Sequence, residues 1–183
     1  MATLADGARV FSAADAAQIL AADHNQLQDI LIGHLGALTV AVPMASASPD
    51  HSFAPLRWVY RKALGWWAWQ NNTGAGDQLV VPLGTLRAGQ VISAINVTTS
   101  GTSAAGSIIL YRQPIAVPAA PTSTATWAAN PFQTGAGVYV VKPATAGLPH
   151  TVLTDFEYYI ECNASANDPQ YVCGVEYTVQ FGT

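Results

Sequence analysis

The stretches Phe156-Glu-Tyr-Tyr-Ile-Glu-Cys162 and Tyr171-Val-Cys-Gly-Val-Glu-Tyr-Thr-Val-Gln-Phe181 decide the fold class, because both alternate between apolar and polar side chains. A period of two puts Phe156, Tyr158, Ile160 and Cys162 on one side of an extended chain, with Glu157, Tyr159 and Glu161 on the other. In the second stretch Cys173, Val175, Tyr177 and Val179 share a side, and Gly174, Glu176 and Thr178 face away. Two strands in phase, joined by Ala164 to Gln170, predict an antiparallel hairpin with apolar residues opposite apolar ones. That register sets Cys162 across from Cys173 as a candidate cross-strand pair on the core face.

Upstream, short β-rich runs separated by Gly, Pro, Asn and Thr continue the pattern. Candidate strands are Arg57–Tyr60, Gly65–Gln70, Gln78–Pro82, Gln90–Thr98, Ser107–Arg112, Gly137–Lys142, Thr151–Cys162 and Tyr171–Phe181. Their spacing predicts a mainly β fold, an antiparallel β-sandwich of jelly-roll-like form. The segment Gln113 to Asn130 is too apolar for a disordered linker and too rich in Pro for a central strand, so it reads as an extended arm or long loop anchored by Trp127.

Before the sandwich, Ser12 to about Leu35 reads as a helix, with Ser12 as N-cap and Ala-rich sequence without Pro behind it. Ala13, Ala17, Leu20, His24, Leu27, Leu31 and His34 are spaced by four and three in turn, the spacing of a coiled-coil seam. Leu20, His24, Leu27 and Leu31 are the candidate oligomer seam, and packing of the same stripe on the chain's own sandwich is the competing reading. Val40 to Pro55 is rich in Pro, Ser and Ala. The organisation expected is a helical attachment or oligomerisation segment at 1–39, a linker at 40–55 and a β-sandwich domain at 56–183.

The chain has 183 residues, of which half are hydrophobic and 10% charged, with a net charge of −4. An ordinary soluble domain is about 25% charged, so a surface this neutral points to cover by neighbouring subunits. The seven Lys and Arg residues are scattered, which argues against nucleic acid; Arg57, Arg61 and Lys62 are the densest basic stretch. No apolar run is long enough to span a membrane, and the N-terminus lacks a signal-peptide layout, so synthesis in a cytoplasm is expected. The sequons at Asn71, Asn96 and Asn163 then read as chance matches.

Chemistry-bearing motifs are missing. Gly74-Ala75-Gly76 is a turn without a following Lys, and the Gly101 to Gly106 segment has its second Gly one residue too far on for a nucleophile elbow. Asp50-His51-Ser52 brings triad residue types together only as sequence neighbours, which rarely converge. Two Cys are too few for a structural zinc site, no cofactor is called for, and two buried thiols are favoured over a disulfide. Glu157, Glu161 and Glu176 would share one face of the terminal hairpin, where a solvated sheet face explains them. No enzyme is expected.

The aromatic cluster Trp58, Tyr60, Trp66, Trp67 and Trp69 is the feature suited to binding, since Trp anchors interfaces and stacks on sugar rings. Alternation places Trp67 and Trp69 on one face, read as core, and Trp66 on the other. Trp58, Trp66 and Trp127 are the candidate interface aromatics.

Leu79-Val-Val-Pro-Leu-Gly-Thr-Leu-Arg-Ala-Gly-Gln-Val-Ile-Ser-Ala-Ile-Asn-Val97, then Ser107-Ile-Ile-Leu-Tyr-Arg112 and the terminal Tyr158-Tyr-Ile-Glu-Cys162, together resemble the virion proteins of tailed bacteriophages. The likeness is to the jelly-roll domains of head-decoration or cement, head-fibre and tail proteins, over roughly Gln78 to Phe181. It implies a non-enzymatic structural protein of the virion. Such a protein would be a homo-oligomer, trimer favoured, docked on the major capsid protein or another virion protein. The alternative is a receptor- or carbohydrate-binding β-sandwich module of a tail or head fibre, with a glycan as partner.

Overall fold

A computed structural model describes residues 2–3, 9–10, 36–49, 58–69, 78–84, 86–102, 106–116, 119–164 and 170–181. In chain order the elements are β1 (Ala2–Thr3), β2 (Arg9–Val10), β3 (Leu38–Val42), a 3-10 turn (Met44–Ser46), β4 (Ser48–Pro49), β5 (Trp58–Arg61), β6 (Trp66–Trp69) and β7 (Gln78–Pro82). They continue with β8 (Gln90–Gly101), β9 (Gly106–Pro114), β10 (Thr122–Thr126), β11 (Gly135–Pro143), β12 (His150–Thr151), β13 (Phe156–Ala164) and β14 (Gln170–Phe181). The helix expected over Ser12 to Leu35, with the seam residues Leu20, His24, Leu27 and Leu31, lies outside the described residues, as do Gly74 to Gly76 and Asp50 to Ser52.

The mainly β, antiparallel sandwich is what forms. One sheet has five strands in the order β10-β9-β13-β7-β4; the other has seven, with β11-β8-β14-β6-β5 as its path, β12 added to β8 and β3 added to β14. From β3 onward the chain changes sheet at every connection except β5–β6, β9–β10 and β11–β12, as in jelly rolls. The β5–β6 turn shows why the local sequence suits this: Leu64 and Gly65 both donate backbone N–H to Arg61 O, at 2.8 and 2.9 Å. Gly65 takes φ of +72° there, which a residue without Cβ adopts freely.

The terminal strands are not a hairpin. β13 pairs with β9 and β7, whereas β14 pairs with β8 on one edge and with β6 and β3 on the other. Ala164 therefore ends a strand of one sheet and Gln170 begins a strand of the other, and the apolar faces of β13 and β14 meet across the core instead of side by side. Cys162 lies opposite Leu79 and Ile108, in a different sheet from Cys173. The candidate cross-strand cysteine pair is thus corrected, and both thiols are free. Cys173 also leaves the core face, because β14 shifts register against β8 between Val172 and Gly174. Such a bulge inserts one residue and turns the following side chains over. Val172 precedes it and Val175, Tyr177 and Val179 follow it, all buried, while Cys173 and Gly174 are half-buried.

Between the sheets lie Leu79, Val81, Leu110, Ile160 and Cys162 from one side and Trp58, Trp69, Ile92, Val97 and Val172 from the other. Each such Leu, Ile or Val contributes about 1.5–3 kcal/mol by burial. Two segments expected outside the core belong to it. The described part of the 40–55 linker supplies β3, paired Val42 to Val175 and Val40 to Tyr177, and β4, paired to Leu79 and Val80; Met44 is buried and its carbonyl accepts from Trp67 Nε1 at 2.8 Å. Pro49 fits because β4 is an edge, where a missing N–H breaks no ladder. The Gln113 to Asn130 arm instead forms edge strand β10 on β9. Its Trp127 is buried in this chain's own core, with Nε1 donating to Lys142 O at 2.8 Å.

Candidate functional site

Strand pairing sorts the tryptophans. Trp58 lies opposite Trp69 and Tyr60 opposite Trp67, with ring centroids 5.5 and 5.3 Å apart. Both pairs face the core, and Trp58 is 2% exposed. Trp58 and Trp127 are therefore core residues rather than interface aromatics. Trp66, one position out of phase, is half-buried on the outer face of the seven-stranded sheet.

Trp66 does not stand alone. Tyr171 of β14 lies opposite Ala68, so it is the diagonal neighbour of Trp66 on the same face, and the two rings are 6.0 Å apart. The third ring comes from β11. Between the pairs Gly135 to Gly101 and Val140 to Thr99 that strand makes an excursion, held by Thr134 Oγ1 donating to Val138 O at 2.7 Å. It allows Tyr139 to reach past β8 and stack on Trp66 at 5.2 Å and 22° while remaining 47% exposed. Burial, then the nearby Cys173 and Tyr171, raise the Tyr139 phenol above its usual pKa, as expected of a group crowded by other weak acids. Beside Tyr171 across the ladder, Ser100 is 1% exposed and its Oγ has no hydrogen-bond partner.

Farther along the same face are polar groups in fixed positions. Asn96 Nδ2 donates to Glu176 Oε1 at 2.9 Å, and the Thr39 and Thr178 hydroxyls are 3.0 Å apart. Between them and the rings sits Gly174, opposite Thr98, leaving a floor without a side chain. A Cβ there would meet nothing closer than Thr98 Oγ1 at 3.7 Å. The face thus combines an aromatic wall, a bare floor and an amide–carboxylate pair.

The outer face of the five-stranded sheet carries a second set. Tyr159 lies opposite Tyr111 with rings stacked at 5.7 Å and 29°. Next along β13, Glu161 Oε1 accepts from Asn163 Nδ2 at 2.8 Å, and the same amide donates to Ser107 Oγ at 3.3 Å. Burial first, then the Glu161 carboxylate, raise the pKa of both phenols. A groove of about 460 Å³ runs beside Tyr159, lined by Val80, Pro82, Leu86, Ile115 and Glu157 among others.

Glu157 and Glu161 therefore face away from one side of the sandwich and Glu176 from the other, with the core between, so the three do not share a face as the hairpin implied. Among the described residues no group of His, Cys, Asp or Glu is arranged to hold a metal ion, and no helix is long and apolar enough to cross a membrane. Arg61 and Lys62 are exposed, Arg61 directly across from Trp66. The residues that sequence reasoning missed are Tyr111, Tyr139, Tyr159 and Tyr171, since only non-local strand pairing brings them together.

No protein-family model matches this chain, and no curated protein matches it in sequence. Among solved structures it is similar to the xylan-binding module CBM15, at 12% identity and a TM-score of 0.49 over 81% of this chain and 99% of that one. It is also similar to a family 29 carbohydrate binding module complexed with mannohexaose, at 9% identity and a TM-score of 0.46, covering 78% and 92%. A capsid asymmetric unit of cyanophage Pam1 is similar at 17% identity and a TM-score of 0.40, covering 80% and 87%.

Proposed function

We propose that this chain is a non-catalytic binding module that takes a glycan on the outer face of its seven-stranded sheet. The observation that carries the reading is the Trp66–Tyr139 stack, flanked by Tyr171 and left open to solvent although the chain's own strands build it. The apolar face of a sugar ring packs on such rings, and its hydroxyls pair with groups such as Asn96 and Glu176 across the bare floor at Gly174. Absence of catalysis is supported by Glu161, which is 8% exposed and accepts from Asn163 Nδ2 at 2.8 Å, so it does not stand open beside Glu157 as the second carboxylate that glycoside hydrolysis uses.

The test is calorimetric titration of the full chain with xylan, mannohexaose and cellulohexaose. Trp66→Ala is expected to weaken binding at this face at least tenfold, and Gly174→Leu to do the same by filling the floor, both with near-UV circular dichroism otherwise retained. Binding that is unchanged in both variants would sink the reading.

A second reading, a virion subunit covering a phage shell or tail, is supported by the edge strand β11. It exposes Val138 at 47% and Val141 at 54%, and apolar edges invite pairing with another chain. A trimeric mass by light scattering supports it, and a monomer that also fails to bind capsids removes it.

A further inference from the structure

We infer that the sandwich has a second glycan site on its five-stranded sheet, so that one chain joins two separate neutral glycan strands. The inference rests on the glycan reading of the first face, but its residues are independent. Both outer faces carry the same constellation: stacked aromatic rings and, farther along the strands, an Asn whose side-chain amide is held by a Glu. On one face these are Trp66 and Tyr139 with Asn96 and Glu176; on the other they are Tyr159 and Tyr111 with Asn163 and Glu161.

Each part of the second set has a physical role in holding a sugar. The two phenol rings, stacked on each other, leave the outer ring face of each as apolar surface for a sugar. Asn163 spends its N–H groups on Glu161 and Ser107, which fixes the amide with its carbonyl oxygen left to accept from a hydroxyl. Glu161 is only 8% exposed, so it positions Asn163 instead of meeting ligand. The adjoining groove of about 460 Å³, with Glu157 on its lining and Ile115 62% exposed, extends the surface beyond the rings. Gln113, opposite Glu157, adds a neutral polar group.

Charge sets the ligand class. Strand pairing and alternation place Ser107, Ile109, Tyr111 and Gln113 of β9 and Glu157, Tyr159, Glu161 and Asn163 of β13 on this face. No Lys or Arg is among these residues and Glu157 is exposed, so a uronate lying along the groove would meet a like charge. Packed sheets lie about 10 Å apart, and the core fills that space. A short sugar on one face therefore cannot occupy the other, and filling both sites links two glycan strands with the gain in avidity that linkage brings.

The experiment is titration of the full chain with mannohexaose, cellulohexaose and soluble xylan, read as stoichiometry per chain, together with turbidity on adding xylan. The wild type is expected to bind two hexasaccharides per chain. Trp66→Ala and Tyr159→Ala are each expected to retain one and to lose turbidity, with Asn163→Ala as a milder variant should Tyr159→Ala fail to fold. A stoichiometry of one that Tyr159→Ala and Asn163→Ala leave untouched overturns the second site while the first reading stands. Binding lost in Tyr159→Ala and unchanged in Trp66→Ala overturns the first reading and, leaving one site, the claim of two. No binding of any of the three probes overturns both, and Tyr159-dependent binding of polygalacturonate overturns the neutral class.

Discussion

Replacing Trp58 by Ala separates a core role from an interface role. The indole is 2% exposed and lies 5.5 Å from that of Trp69, at 59°. Truncating a buried Trp costs about 3–5 kcal/mol through lost transfer energy and the cavity left behind. β5 is the last strand on its side of the seven-stranded sheet, so it can move inward and recover part of that loss. The expected cost is about 3–4 kcal/mol, at the lower end of the same range. For a domain of this size each kcal/mol lowers Tm by about 2–4 °C, so Tm should fall by about 10 °C. Trp66→Ala, on the outer face, should cost about 1 kcal/mol or less. Urea and thermal unfolding of both variants, with light scattering alongside, checks this. A Trp58→Ala protein that loses under 1 kcal/mol but changes its association state would refute the core placement.

Two further outcomes follow from the same packing. Burial pushes the Cys173 thiol up to about 11 from an ordinary 9.0 and, with Glu161, pushes Cys162 far higher. A pKa raised on folding gives stability that is complete below the unfolded value and lost as pH rises. Urea midpoints should thus fall from about pH 9 upward, and fall less steeply in Cys162→Ala; a flat profile to pH 11 contradicts the burial of this thiol. At Gly147, with φ of +85°, an added Cβ would strike the Thr124 carbonyl oxygen and Ala125 Cα of β10. Gly147→Ala should cost about 3 kcal/mol from strain and overpacking together. Gly65→Ala, with φ of +72° and open space around it, should cost about 1–2 kcal/mol, and equal Tm losses for the two would refute the contact.

The β class was legible because alternation is local: Tyr158, Ile160 and Cys162 face the core as their spacing demands, and so do Val175, Tyr177 and Val179. Partner choice was not legible. A hairpin and a crossing between sheets both need two strands with one apolar side, so the sequence of β13 and β14 is equally consistent with either. The bulge at Cys173 was invisible for a related reason, since one inserted residue changes the facing of its neighbours without changing their composition. Alternation within Trp66–Trp69 already turned Trp66 away from the core, whereas the inward facing of Trp58 shows only in its pairing with Trp69. Pro43 and Pro49 made 40–55 look like a linker, yet a short edge strand tolerates Pro well.

The position of β14 has a consequence for how the protein is made. The last strand of the sandwich in chain order sits in the middle of the seven-stranded sheet, between β8 and the β6 and β3 strands. A ribosome must therefore deliver residue 181 before that sheet can close, and until then β8 on one side and β3 and β6 on the other wait with unfilled edges. Long-range pairings of this kind form slowly and expose sticky strands while they wait. Yield in a cell should accordingly depend on how quickly the final strand is translated and on the chaperones that hold the nascent chain, and a stop codon placed before Gln170 should give an insoluble product rather than a smaller sandwich.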